Sequence, residues 1–381
     1  MLNGKSKNNT GITLVALVIT IIILLILATI SIQSLTNTGL LKKANEAKQK
    51  TKNAEENQSR TLNEYEDELN KYISGDIKTL VKKVADNIGS VLSTTDNTEL
   101  QDAYGNKIVV PAGFKIVSDS TTNNAQTVDK GIVIEDATTE ATAGSQFVWI
   151  PVGTITKEDG STITINLDRY TFDTDGNPTA QGEKIVEIYY SETASNGNII
   201  SKDINAFKTS VAINGGYYIG RYEARTTTER TSSENPLTQI TEKGTNPVYN
   251  YITQQQAASQ AQNMYNNNKF TSDLINSYAW DTATLFLQNC GTNKEYSRQS
   301  SLNIGSVSQT GTTNDIQCNV YDMASNVREW STETSNNLNN PCVSSGGLYY
   351  RSDLYTSSRV PYITSYSEVF NGFRPILYIN I

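Results

Sequence analysis

Between Gly346 and Pro375, tyrosine and serine recur every few residues. Tyr349, Tyr350, Ser352, Tyr355, Ser357, Tyr362 and Tyr366 stand there, with Asp353 and Glu368 among them. A tyrosine ring is rigid and amphipathic, and serine is a small adaptable hydrogen-bonding group. Together they have the chemistry of a contact surface, so these residues form the candidate ligand-binding set. The same texture also suits a tyrosine-rich β-hairpin packed on its own domain, because aromatics are common sheet and core residues. Gly346-Gly347 precedes the stretch and Gly372-Phe373-Arg374-Pro375 closes it.

Other chemistries are narrowed by what the chain lacks. It has no histidine and three cysteines among 381 residues. A Ser-His-Asp triad, a Cys-His pair and an imidazole metal ligand are therefore excluded, and three cysteines cannot make a four-thiolate zinc site. Catalysis by carboxylates alone stays open, but the expectation is a protein that is not an enzyme. The formal net charge of −8 argues against sequence-independent nucleic-acid binding, which needs a basic surface. Tyrosine outnumbers phenylalanine 21 to 8, so half-buried, wet aromatic surface is plentiful.

Several elements must position these residues. Residues 12–36 open with the uncharged run ITLVALVITIIILLILATISI, long enough as a helix to span about 30 Å of hydrocarbon. They read as a transmembrane helix. Residues 40–74 are rich in Ala, Glu, Lys and Gln and read as a stalk helix. Residues 77–144 read as a linker with a small β-rich extension. From 145 to 381, short β-prone runs, two helices (253–266 and 272–289) and returning strands imply an α+β domain.

Two resemblances sharpen this. Lys5 and Lys7 precede Gly11, and Ile12-Thr13-Leu14 follows it directly. This resembles the prepilin segment of type IV pilins and pseudopilins, which implies a leader over 1–11 and processing between Gly11 and Ile12. Ala16 stands where that family has a glutamate, which argues against filament incorporation. Farther on, Phe147 to Pro151, Gly215 to Glu223, Ser277 to Asp281, NVYDMASNVREW (Asn319 to Trp330), Gly346-Gly347 and Gly372 to Pro375 occur in order. This ladder resembles the formylglycine-generating-enzyme/sulfatase-modifying domain, a branch of the C-type lectin fold, over about residues 145 to 381. The cysteine pair of the active enzymes is missing, since no cysteine lies between Gly346 and Phe373. The tyrosine-serine stretch itself is similar to the diversified segment in variable proteins of diversity-generating retroelements.

The enzyme-like resemblance implies a calcium site at Asp322, Ser325, Val327 and Glu329, two by side chain and two by backbone carbonyl. The alternative has Asp322 capping a turn and Glu329 paired with Arg328 or Arg374. Cys318 and Cys342 flank the motif on segments expected to be neighbours. They make a disulfide or two buried thiols, and Cys290 stays free. The tryptophans are expected in the core. The expectation assembled from these readings is a protein of the bacterial cell membrane and surface, with a single N-terminal transmembrane helix and an extracellular C-terminal domain. That domain would bind an external protein or glycan through its tyrosine-serine surface. The alternatives are a minor pilin or pseudopilin whose head serves assembly with other pilin-like subunits, and an enzyme on the same scaffold without the cysteine pair.

Overall fold

The computed structural model describes residues 14–32, 43, 46, 48–54 and 82–381, apart from 123–124, 184–188, 191, 193–194, 235–245, 266 and 301–304. The chain divides into two compact units, Met1–Leu80 and Val81–Ile381.

In the first unit the apolar run forms helix α1, Leu14–Ile32. The side chains described on it, Val15 to Ile26, are exposed. Among the described residues no helix is long and apolar enough to cross a membrane. The transmembrane helix expected over 12–36 is thus corrected, and with it the membrane localisation built upon it. The leader over 1–11, Gly11 and Ile12 lie outside the described residues. So does most of the expected stalk (40–74), within which 48–54 is helical.

The second unit is mostly β, with few helices, which corrects the α+β expectation. Its larger sheet is built from β1 (Phe114–Val117), β2 (Val133–Asp136), β3 (Gln146–Pro151), β5 (Gly216–Gly220), β6 (Phe270–Leu274) and β11 (Pro375–Ile379), in the order β6-β11-β5-β3-β2-β1. The smaller sheet runs β4 (Tyr189–Tyr190), β7 (Arg328–Ser335), β8 (Cys342–Ser345), β9 (Arg359–Tyr362), with β10 (Asn371–Phe373) parallel to the start of β7. β1 and β2 carry residues assigned from sequence to a separate extension. They are buried in the same sheet as β3, so position 145 is no structural boundary.

Three helices pack on this framework, each opened by a polar cap. Asp203 caps α2 (Ile204–Asn214), Thr253 and Gln256 form a capping box on α3 (Gln254–Gln262), and Asn276 caps α4 (Ser277–Cys290). The second expected helix begins at 277, not 272, because Phe270 to Leu274 pair residue by residue with β11. Trp149, Trp280 and Trp330 are buried, as expected. The chain passes from β10 to β11 through Arg374 alone, so this residue sits where the two sheets meet.

Candidate functional site

The tyrosine-serine stretch rests on a backbone held by close approach. Gly346 has φ +93°, and a Cβ on Gly347 would lie 1.8 Å from the Ala324 carbonyl oxygen. No side chain fits there. The amide of Gly346 donates to the Ser358 oxygen at 3.0 Å, and that of Tyr349 to the Asn326 oxygen at 2.9 Å. The partner loop, Asn319 to Asn326, is itself tightly wound, with positive φ at Asn319, Asp322 and Asn326. Asn and Asp tolerate that conformation better than other side-chain-bearing residues.

Strand alternation then sorts the side chains. On β9, Val360 and Tyr362 face a cleft of about 310 Å³, while Arg359 turns inward to Glu333 (2.7 Å) and Asp281 (2.6 Å). On β7, Arg328 faces the cleft and Glu329 turns to Arg374. Leu348, Tyr350, Arg351, Leu354, Tyr366 and Phe370 complete the lining. Tyr362 and Tyr366 stack with centroids 4.0 Å apart and planes at 15°. Trp330 meets both edge-on, at 5.6 and 6.4 Å. Tyr350 lies 6.2 Å from Phe370 and 4.8 Å from Tyr349. Burial, then the neighbouring Tyr362 and Glu368, raise the Tyr366 phenol above its ordinary value, so it stays a neutral donor.

Of the residues chosen from sequence, Tyr350, Tyr362 and Tyr366 converge on this cleft. Tyr349 packs against Tyr350, and exposed Asp353 pairs with Arg351 (2.6 Å) at the rim beside exposed Ser352. Glu368 is exposed, and its carbonyl accepts from Tyr251. Tyr355 and Ser357 go elsewhere. The Tyr355 ring lies under the Arg298 guanidinium at 3.9 Å, and the Ser357 amide donates to the Ser297 oxygen. Sequence reasoning missed Arg328, Arg351 and Phe370 as cleft residues. For Arg328 the signal was its place one residue before Glu329 in a strand.

The residues expected to hold calcium are arranged otherwise. Both Glu329 oxygens accept from Arg374, at 2.7 and 3.0 Å. Asp322 accepts from Thr313 and from the Gly311 amide. The Ser325 hydroxyl donates to Asp315, and the Val327 amide to Glu223. Arg374 supplies the positive charge at this centre and also donates to the carbonyls of Gly220 and Tyr321. Among the described residues no group of acidic or cysteine side chains is disposed to hold a metal ion. Of the alternatives read from sequence, the pairing of Glu329 with Arg374 is the one formed. Burial raises Asp322 to about 7, and raises Glu223, Asp315 and Glu329 as well, because one guanidinium serves four buried carboxyls.

The Cys318–Cys342 disulfide is likewise corrected. All three thiols are free. Cys318 lines a separate cleft with Cys290, whereas Cys342 is buried in β8 within the core cluster of Trp330 and Phe373. Flanking a motif in sequence did not make the two neighbours, because the chain leaves Cys318 on the β2 side, against the Asp129 carbonyl.

No family model and no curated protein matches this chain. Among solved structures, Treponema denticola variable protein 1 is similar to it with a TM-score of 0.36 and 13% identity, over 63% of this chain and 98% of that one. The likeness is a distant one to a variable protein, and neither the prepilin-like nor the formylglycine-generating-enzyme-like resemblance finds a match.

Proposed function

We propose that the Val81–Ile381 unit is a ligand-binding domain, not an enzyme, and that it contacts an external protein or glycan through the cleft at Tyr350, Tyr362 and Tyr366. The observation that carries this reading is the convergence of these tyrosines, all from one stretch of the chain, on one cleft over a glycine-fixed backbone. Stiff aromatic anchors lose little conformational entropy on binding, and loops on a rigid scaffold are where binding residues gather. Among the described residues, none that line the cleft is a carboxylate of the kind a hydrolytic site needs. The Leu348–Asn371 segment would vary while Gly346, Gly347, Phe373 and Arg374 stay fixed.

A peptide and glycan array probed with the full chain and with Tyr350→Ala/Tyr366→Ala tests the binding reading. Ligands bound by the parent and lost by the folded double variant support it. An unchanged set refutes it. Resequencing the Leu348–Asn371 codons across one population tests diversification, and invariant codons would end that part of the proposal.

A further inference from the structure

Arg328 lies at the cleft with 1% of its surface exposed. Three other buried guanidiniums in this unit have acidic partners: Arg169 has Glu333, Arg359 has Glu333 and Asp281, and Arg374 has Glu329, while buried Arg221 is held by the Asn319 and Thr121 carbonyls and the Gln146 amide oxygen. Among the described residues no carboxylate forms an ion pair with Arg328. Its Nη2 donates to the Ser344 carbonyl oxygen at 2.8 Å, and its Nη1 reaches the Tyr362 hydroxyl at 3.4 Å. Its Nε–H finds no acceptor. Tyr362, Tyr189, Tyr366 and a second guanidinium, Arg351, supply its electrostatic surroundings. Arg351 is itself matched by Asp353.

A buried, unpaired charge is costly, and a buried donor without an acceptor adds to that cost. An incoming oxyanion would relieve both at once. A guanidinium edge suits a planar carboxylate. The walls around it are aromatic: the stacked Tyr362–Tyr366 pair, with Phe370 beside Tyr366 and Tyr350 beside Phe370.

We propose that the cleft binds a carboxylate carried on an aromatic or apolar stem, the carboxylate meeting the Nε–H edge of Arg328 and the stem lying against Tyr350, Tyr362 and Tyr366. This rests on the reading of the cleft as a ligand surface. An acidic protein overall, with net charge −8, thereby keeps a locally cationic pocket for an anionic group.

The test titrates the full chain with benzoate, its neutral counterpart benzamide, and inorganic sulfate, followed by tryptophan fluorescence and by the arginine Nε–H resonances. Benzoate should bind about tenfold or more tighter than benzamide, as a charge-assisted bond demands. It should shift the Arg328 Nε–H signal. Arg328→Met should bring the two affinities together while the melting temperature holds or rises, since removing an unpaired buried charge relieves the fold. If Arg328→Met does not fold, Arg328→Lys keeps the charge without the Nε edge and should lose most of the preference. Equal binding of benzoate and benzamide overturns the anion proposal and leaves the aromatic cleft standing. Sulfate binding as tightly as benzoate overturns the stem requirement. Binding of none of the probes, with no resonance shift, overturns the proposal. The array result then decides separately whether the cleft is a ligand surface at all.

Discussion

Arg374→Met is the sharpest test of how the two sheets are joined. Arg374 is fully buried and makes four hydrogen bonds, two to Glu329 and one each to the carbonyls of Gly220 and Tyr321. Breaking a buried ion pair by removing one partner costs about 3–5 kcal/mol, because the other charge is left behind. Each orphaned carbonyl adds about 1 kcal/mol. The expected loss is therefore about 5–7 kcal/mol, which for a unit of this size lowers the melting temperature by roughly 10–20 °C. The assay is chemical and thermal unfolding of the full chain, followed through the buried tryptophans.

The pH dependence carries the sign. Asp322, Glu223, Glu329 and Asp315 all have folded values raised above their ordinary ones, Asp322 to about 7. The fold thus favours their protonated forms. That contribution is complete below the unfolded carboxyl range and is lost as pH rises through the folded values, near 7 for Asp322. Without Arg374 the carboxyls are still harder to ionise, so the deficit of Arg374→Met should be larger at pH 8 than at pH 5. Glu329→Gln in the same chain should restore part of it, since one fewer buried charge is stranded. A loss below about 2 kcal/mol at pH 8, or a deficit independent of pH, would refute this account of the centre.

Gly347→Ala should cost about 3 kcal/mol or more, because its new methyl collides with the Ala324 carbonyl 1.8 Å away and both segments under the tyrosine stretch must shift; a melting temperature within error of the parent counts against that constraint. Exchanging EDTA for millimolar calcium should leave the melting temperature unchanged, because an ion that bound the native state would raise it by mass action. Peptide mapping without reduction should recover Cys318 and Cys342 unlinked. The Cys290 and Cys342 thiols, each pushed up to about 12 by burial, should react slowly with a thiol reagent until the chain unfolds, and fast reaction in the native state would contradict their burial.

What could be read from the sequence, and what could not, separates along one physical line. Local signals were legible. The tyrosine-serine stretch does supply three cleft walls, and the bracketing glycines do mark close backbone approach. The tryptophans are core. Helix content was overestimated where composition stood in for pairing: Ser272 to Leu274 looked helical, but β11 recruits them into a sheet. Non-local facts were beyond reach for the same reason. Cys318 and Cys342 bracket the loop at Asn319–Asn326, but which sheet face each meets is decided by strands distant in sequence. The contrast between Arg328 and Glu329 shows where the limit falls. Adjacent residues in a strand must point to opposite sides, so the pair could have been separated from sequence alone. Which side was the buried acid centre, and which the tyrosine cleft, depended on β10 lying parallel to β7 and handing the chain to β11 through Arg374. Once Arg374 is committed to Glu329, Arg328 has no acid to turn to, and its charge is left facing the tyrosines.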